Sequence, residues 1–170
     1  GLWALSVKGA AISSGYVVIP GSGSDTRPTQ SVTSMAFEFF GLDAFGNPSS
    51  TGDFAGVLTE VANPTNTRTY PRSSWTEVST GRFTLAITDT ATVGTYRMET
   101  TIAGQTAPVP VQNAEGGVVP GGILDVTVGP PSVRSTLSSL APFVFNVGTN
   151  VQLTVTAVDA LGNRIARAGE

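Results

Sequence analysis

The chain has 170 residues, 40% apolar and only 12% charged, with a formal net charge of −3, a length that suffices for one good hydrophobic core or a little more. It holds no cysteine and no histidine, which removes disulfides, thiol nucleophiles, the usual general base and the commonest zinc ligand. The single scattered charges form no basic stripe for nucleic acid, and no apolar run in this segment is long enough to cross a bilayer.

Val and Thr dominate the apolar stretches, and 20 glycines and 11 prolines separate them. That mixture of β-formers and turn-formers, without sustained i, i+3, i+4 apolar spacing, predicts an all-β protein with almost no helix. The chain opens on Gly1-Leu2-Trp3 rather than Met, so any targeting segment is expected upstream or removed. Trp3, Leu5 and Val7 alternate with small or polar residues, which puts them on the buried face of one strand. Seven strands follow in the expected reading: near Tyr16–Ile19, then Met35–Leu42, Gly56–Val61, a weak one at Trp75–Val78, Arg82–Ile87, Thr95–Ile102 and Ile123–Val128. The stretch from Asn63 to Arg72 is polar and contains proline, and reads as a loop. Phe37, Phe39, Phe83, Leu85, Ile87, Tyr96, Met98, Leu124, Val126 and Val128 are the predicted core. The whole reads as an antiparallel immunoglobulin-like β-sandwich with one face of each strand buried.

Two pairs of segments repeat. Gly1-Leu2-Trp3-Ala4-Leu5-Ser6-Val7 resembles Gly122-Ile123-Leu124-Asp125-Val126-Thr127-Val128. Phe37 to Asn47 matches Leu153 to Asn163, each running a strand into Asp-Ala-(Phe/Leu)-Gly-Asn. The aspartate can accept a hydrogen bond from backbone two residues on, and glycine supplies a positive φ. Asp43, Gly46 and Asn47, and again Asp159, Gly162 and Asn163, are therefore read as structural turns. The two turns lie about 116 residues apart, the size of one β-sandwich domain. Residues 1–8 are then expected to be the last strand of a preceding domain, 9–129 a complete domain, and 130–170 the first half of a following one. Gly129-Pro130-Pro131 is the linker, stiffened because proline fixes φ.

Four motifs in order resemble the filamin-type immunoglobulin repeat. They are the strand ending Asp43-Ala44-Phe45-Gly46-Asn47, then Thr80-Gly81-Arg82-Phe83-Thr84-Leu85, then Gly94-Thr95-Tyr96-Arg97-Met98, and last Val119-Pro120-Gly121-Gly122 running into Ile123–Val128. Gly122-Ile123-Leu124 stands where that family usually shows Ser-Pro-Phe, and Thr106–Glu115 reads as an insertion. The Asp-x-x-Gly-Asn turn also resembles the immunoglobulin-like repeats of bacterial invasin-type adhesins. Either resemblance implies stacked domains, strand-to-edge recognition and no chemistry.

Sharper chemical readings lose to plainer ones. Asp43, Asp53, Asp159 and Glu60 lack the dense acidic alternation of a calcium loop, so turn capping explains them and no metal is expected. Asp89 with Glu99, or Glu60 with Glu77, would need a desolvating cleft to act as paired acids; solvated strand faces fit them better. No cofactor and no catalytic residue is expected. Among the aromatic residues Tyr16, Phe45, Tyr70 and Trp75, Phe45 matches Leu161 in the second copy, so an apolar residue is wanted there structurally. Trp75 has no such counterpart and is the candidate contact residue. Asn47-Pro48-Ser49 and Asn63-Pro64-Thr65 are blocked as N-glycosylation sites by their prolines, leaving O-linked sugars on the Thr-rich loops.

The expected function is a non-catalytic structural or adhesive repeat module of a multi-domain rod, fibre or filament, at the cell surface or outside the cell. Its partners would be neighbouring repeats of the same or an identical chain. Two alternatives stand beside it: a cytoplasmic cytoskeletal scaffold that binds peptides by strand addition, and a binding domain appended to an enzyme. The expected partner-binding edge comprises Val57, Thr59, Trp75, Thr76 and Val78, because short strands flanked by proline are tolerated at sheet edges.

Overall fold

The computed structural model describes residues 9–88, 92–129, 136–139 and 153–165. Residues 1–8, with the expected closing strand of Trp3, Leu5 and Val7, lie outside them, as does Asp89. Twelve strands occur among the described residues. β1 (Ser14–Val18), β3 (Met35–Leu42), β6 (Thr76–Ser79), β7 (Arg82–Ile87) and β9 (Val111–Gln112) make one sheet, in the order β6-β7-β3-β1-β9. β2 (Thr29–Ser31), β4 (Phe54–Glu60), β5 (Thr67–Pro71), β8 (Gly94–Ile102) and β10 (Ile123–Thr127) make the second, in the order β2-β10-β8-β4-β5. The remaining two, β11 (Thr136–Ser139) and β12 (Leu153–Thr156), pair antiparallel on their own. Two short 3-10 turns, Arg72–Ser74 and Pro120–Gly122, complete the regular structure.

The two five-stranded sheets form an immunoglobulin-like sandwich. The opening stretch divides itself between them: β1 pairs antiparallel with β3 in one sheet, and β2 pairs parallel with β10 in the other. Burial along the central strands follows the period of two that a one-sided strand requires. In β3, Met35, Phe37 and Phe39 point inward and Ala36, Glu38 and Phe40 outward. The inward faces meet Phe83, Leu85 and Ile87 of β7 and, across the sandwich, Leu58, Tyr96, Met98, Leu124 and Val126. Every residue of the core cluster lies between Ile12 and Val126. Val128, expected in the core, is only half-buried because β10 has ended at Thr127 and the chain is leaving the sheet.

Three strands are additions to the expected set. β5 turns the supposed loop after Asn63 into a hairpin with β4, pairing Val57 with Thr69 and Thr59 with Thr67. β2 is a three-residue strand beside β10. β9 lies inside the stretch read as an insertion, and pairs parallel with β1 so that Val111 is buried under the sandwich end.

Trp75 needs a correction. It is buried, not a surface contact residue. The 3-10 turn at Arg72–Ser74 swings its indole into the core, edge-on to Phe54 at 5.6 Å and to Phe39 at 6.3 Å. Its Nε1–H donates to the Tyr70 carbonyl at 3.2 Å, which satisfies the one polar atom that burial would otherwise strand. Gly56 opens the space beside it, since a Cβ there would stand 2.9 Å from the indole.

Candidate functional site

The expected edge is divided by the fold. Val57 and Thr59 sit on β4, which is hydrogen-bonded on both sides, to β8 and to β5. They offer no open backbone and belong to a different sheet from Thr76 and Val78. The reason is β5, which supplies the true edge of that sheet. Thr76 and Val78 do lie on an edge strand, β6, whose four residues are all exposed. The aromatic residues are also dispersed. Tyr16 stacks on Phe40 at 4.9 Å on the outer face, Trp75 is in the core, and Tyr70 packs half-buried against it. Phe45 stands alone at the tip of a turn, 84% exposed.

The turns carry a repeated pattern of hydrogen bonds. After β3 the chain reverses at Asp43. The Asp43 Oδ1 accepts the N–H of Phe45 and of Asn47, both at 2.9 Å. Asp43 N–H donates to the Asn47 carbonyl at 2.9 Å, and Gly46 N–H donates to the Asp43 carbonyl at 3.0 Å. Gly46 has φ of +81° with nothing within 4 Å of where a Cβ would be, so glycine is required there by backbone conformation and not by space.

After β12 the same five-residue turn recurs at Asp159. Its Oδ1 accepts from Leu161 at 2.9 Å and Asn163 at 3.0 Å. The backbone bonds from Asp159 to Asn163 and from Gly162 to Asp159 measure 2.9 and 3.1 Å, and Gly162 has φ of +92°.

A third copy lies outside the two repeats legible in the sequence. Asn113-Ala114-Glu115-Gly116-Gly117 makes the same bonds: Asn113 Oδ1 accepts from Glu115 at 3.1 Å and Gly117 at 2.8 Å. Asn113 N–H donates to Gly117 at 2.8 Å, Gly116 N–H to Asn113 at 3.1 Å, and Gly116 has φ of +85°. A single bridge follows each turn, pairing Leu42 with Pro48, Gln112 with Val118 and Val158 with Arg164.

The first position of each turn is buried, and what its second polar atom meets decides its identity. Asp159 Oδ2 accepts the Gly129 N–H, in the segment that leaves β10, at 3.0 Å. Asp43 stands near Ala10, in the segment that leads into β1, whose backbone makes the smallest contribution to the lowering of the Asp43 pKa. The Ala10 carbonyl accepts from Ser49 Oγ. In the third copy the partner is a carbonyl: Asn113 Nδ2 donates to Asp25 O at 3.3 Å. A carboxylate can only accept and an amide can do both, so aspartate stands where the neighbour is an N–H and asparagine where it is a C=O.

Charge follows from these bonds. Burial alone would raise the pKa of Asp159, but the donors from Gly129, Asn163 and Leu161 outweigh it and hold the carboxyl at about 2. The Asp43 carboxyl is also lowered, first by the Asn47 backbone N–H, against the opposing effect of burial. Elsewhere the described ion pairs are on the surface: Arg27 with Asp125 at 2.7 Å, and Arg82 with Glu38 at 2.8 Å. Of the acids weighed as pairs, Glu77 bonds to Ser50 and Arg72, and Glu60 to Asn66.

Around the first turn, Gly9, Ala10, Phe45, Pro48 and Thr80 line a cleft of about 470 Å³. At the second turn Leu161, in the place of Phe45, is half-buried against the core of the sandwich.

No family model matches the chain, and no curated protein matches it. Among solved structures it is similar to FdeC, an adhesin of Escherichia coli, with a TM-score of 0.49 and 23% identity. The match covers 92% of this chain and 45% of the adhesin chain, so this chain spans less than half of that protein's length.

Proposed function

We propose that the chain is a non-catalytic structural and adhesive module, one link in a tandem array of immunoglobulin-like domains displayed at the cell surface. Residues 9–129 are one complete link and residues 130–170 open the next. The observation that carries this reading is one junction: an aspartate at a turn holds the backbone N–H of the incoming segment, Gly129 at Asp159, and the same turn recurs at Asp43. A rod of such units is stabilised by nearest-neighbour contacts of this kind. Low charge and abundant Thr, Ser and Gly favour a surface fibre over a cytoplasmic scaffold, with the Thr-rich loops open to O-linked sugars. Intact mass and sedimentation of the native protein test it. A parent chain or assembly well above the 17.4 kDa of this segment is expected. A well-folded 17.4 kDa monomer with no larger parent and no self-association contradicts it.

A second reading rests on β6. It is an edge strand with Thr76 and Val78 exposed, and an added strand would gain affinity from backbone hydrogen bonds. Its irregular register between Glu77 and Ser79 is of the kind that blunts an edge against promiscuous pairing. Thr76→Pro is expected to abolish binding of a strand-forming partner while the fold survives; unchanged binding would remove β6 from consideration.

A further inference from the structure

The three turns share a backbone but differ at their third position, and the difference follows their surroundings. At the second turn that position is Leu161, half-buried against the sandwich core of the preceding domain. At the third it is Glu115, exposed, and its turn holds the carbonyl of Asp25 within the same domain. The turn itself therefore has no need of an apolar residue there. At the first it is Phe45, apolar like Leu161 yet 84% exposed, beside a cleft of about 470 Å³ that runs along Gly9 and Ala10. The two apolar cases are also the two turns headed by aspartate, and at the second that carboxylate holds the incoming segment through the Gly129 N–H.

We propose that Phe45 and this cleft are the seat of a second immunoglobulin-like sandwich joined on the N-terminal side of Ala10. That sandwich would sit on Phe45 as the described sandwich sits on Leu161. The aspartate fixes the direction of the connecting segment, and the apolar side chain two residues on is covered by the core end of the domain that segment comes from. An exposed phenylalanine at a turn tip is otherwise unexplained by the fold, since its ring contributes nothing to the core of its own domain. The proposal rests on the tandem reading above and adds to it the side chain that makes the contact.

The absence of cysteine makes a labelling experiment direct. Phe45→Cys, Leu161→Cys and Glu115→Cys are each placed in the 170-residue chain. Phe45→Cys and Glu115→Cys are also placed in the trailing copy of a longer chain, in which residues 9–128 precede residues 8–170. The leading copy carries every core residue of the sandwich. Maleimide labelling of the Phe45→Cys thiol in the longer chain is expected to be roughly ten-fold slower than in the 170-residue chain, as for a site exposed only in a minor open state. The Leu161→Cys thiol is expected to label slowly in the 170-residue chain, and the Glu115→Cys thiol fast in both chains. Equal labelling of the Phe45→Cys and Glu115→Cys thiols in the longer chain would overturn the seat. So would protection of the Phe45→Cys thiol in the 170-residue chain that grows with concentration, because self-association in trans would then be the occupant. Either outcome leaves the tandem reading standing, since that is decided by the mass of the native chain.

Discussion

Asp159 joins two parts of the chain through one carboxylate: Oδ2 takes the N–H of Gly129 at 3.0 Å while Oδ1 takes the N–H of Leu161 at 2.9 Å. The segment leaving the sandwich is thereby bonded to a turn 30 residues further along. The carboxyl must be ionised to accept all of these bonds, which makes the junction sensitive to acid.

The sign of that sensitivity follows from the shift. The Asp159 carboxyl lies at about 2 in the folded chain against an ordinary 3.8, so its contribution to stability is present above the ordinary value and is lost as pH falls through about 2. The Gly129 amide resonance, followed by NMR through acid, is expected to titrate with a midpoint near 2. A midpoint at the ordinary carboxyl value would show that the bond is not made.

Exchanging the amide for a carboxylate in the third turn should be costly. Asn113→Asp puts an acceptor against the Asp25 carbonyl where a donor now sits, leaving two acceptors facing in a buried site. A loss of about 1–3 kcal/mol is expected from denaturant titration. No loss would mean that the Nδ2 bond, long at 3.3 Å, contributes nothing.

Gly46→Val forces a β-branched residue to φ of +81° in open space. The cost is purely conformational, about 1–3 kcal/mol, and should lower the denaturation midpoint at unchanged slope. An unchanged midpoint would mean that the turn relaxes to a negative φ.

Trp75 and Phe45 both lie in polar, loop-like sequence, yet their substitutions should separate widely. Trp75→Ala removes an indole packed edge-on against Phe39 and Phe54 and is expected to cost about 3–5 kcal/mol. Phe45→Ser in the 170-residue chain is expected to stay within about 0.5 kcal/mol of the parent, as exposed substitutions do. Equal losses in thermal unfolding would contradict the placement of one of them.

The strands whose alternation is strong are legible from the chain: the bounds of β3 and β7 coincide with those expected, because Phe37, Phe39, Phe83 and Leu85 recur every second residue between turn formers. The short edge elements are not. β5 reads Thr-Arg-Thr-Tyr-Pro and buries no side chain fully, so hydrophobic period carries no signal, and without it β4 looks like an edge. Trp75 is flanked by Ser73, Ser74, Thr76 and Glu77, a polar frame that hides a core residue delivered by a 3-10 turn. The third turn escapes a search for repeats because Asn113 replaces aspartate and Gly117 replaces asparagine. Only the hydrogen bonds show the three to be one device, and only then does the choice of Asp or Asn acquire a reason.

The most direct test of the account is hydrogen exchange at the Gly129 amide in the native chain and in Asp159→Asn. Asparagine preserves the turn, as Asn113 demonstrates, but with Oδ1 committed to the turn it presents an N–H₂ to Gly129 and cannot accept its proton. Gly129 is expected to be protected in the native chain and to exchange like a free amide in the variant, while strand amides such as Phe39 stay unchanged. A Gly129 amide that exchanges freely in the native chain, or keeps its protection in Asp159→Asn, would contradict the claim that this carboxylate joins one domain to the next.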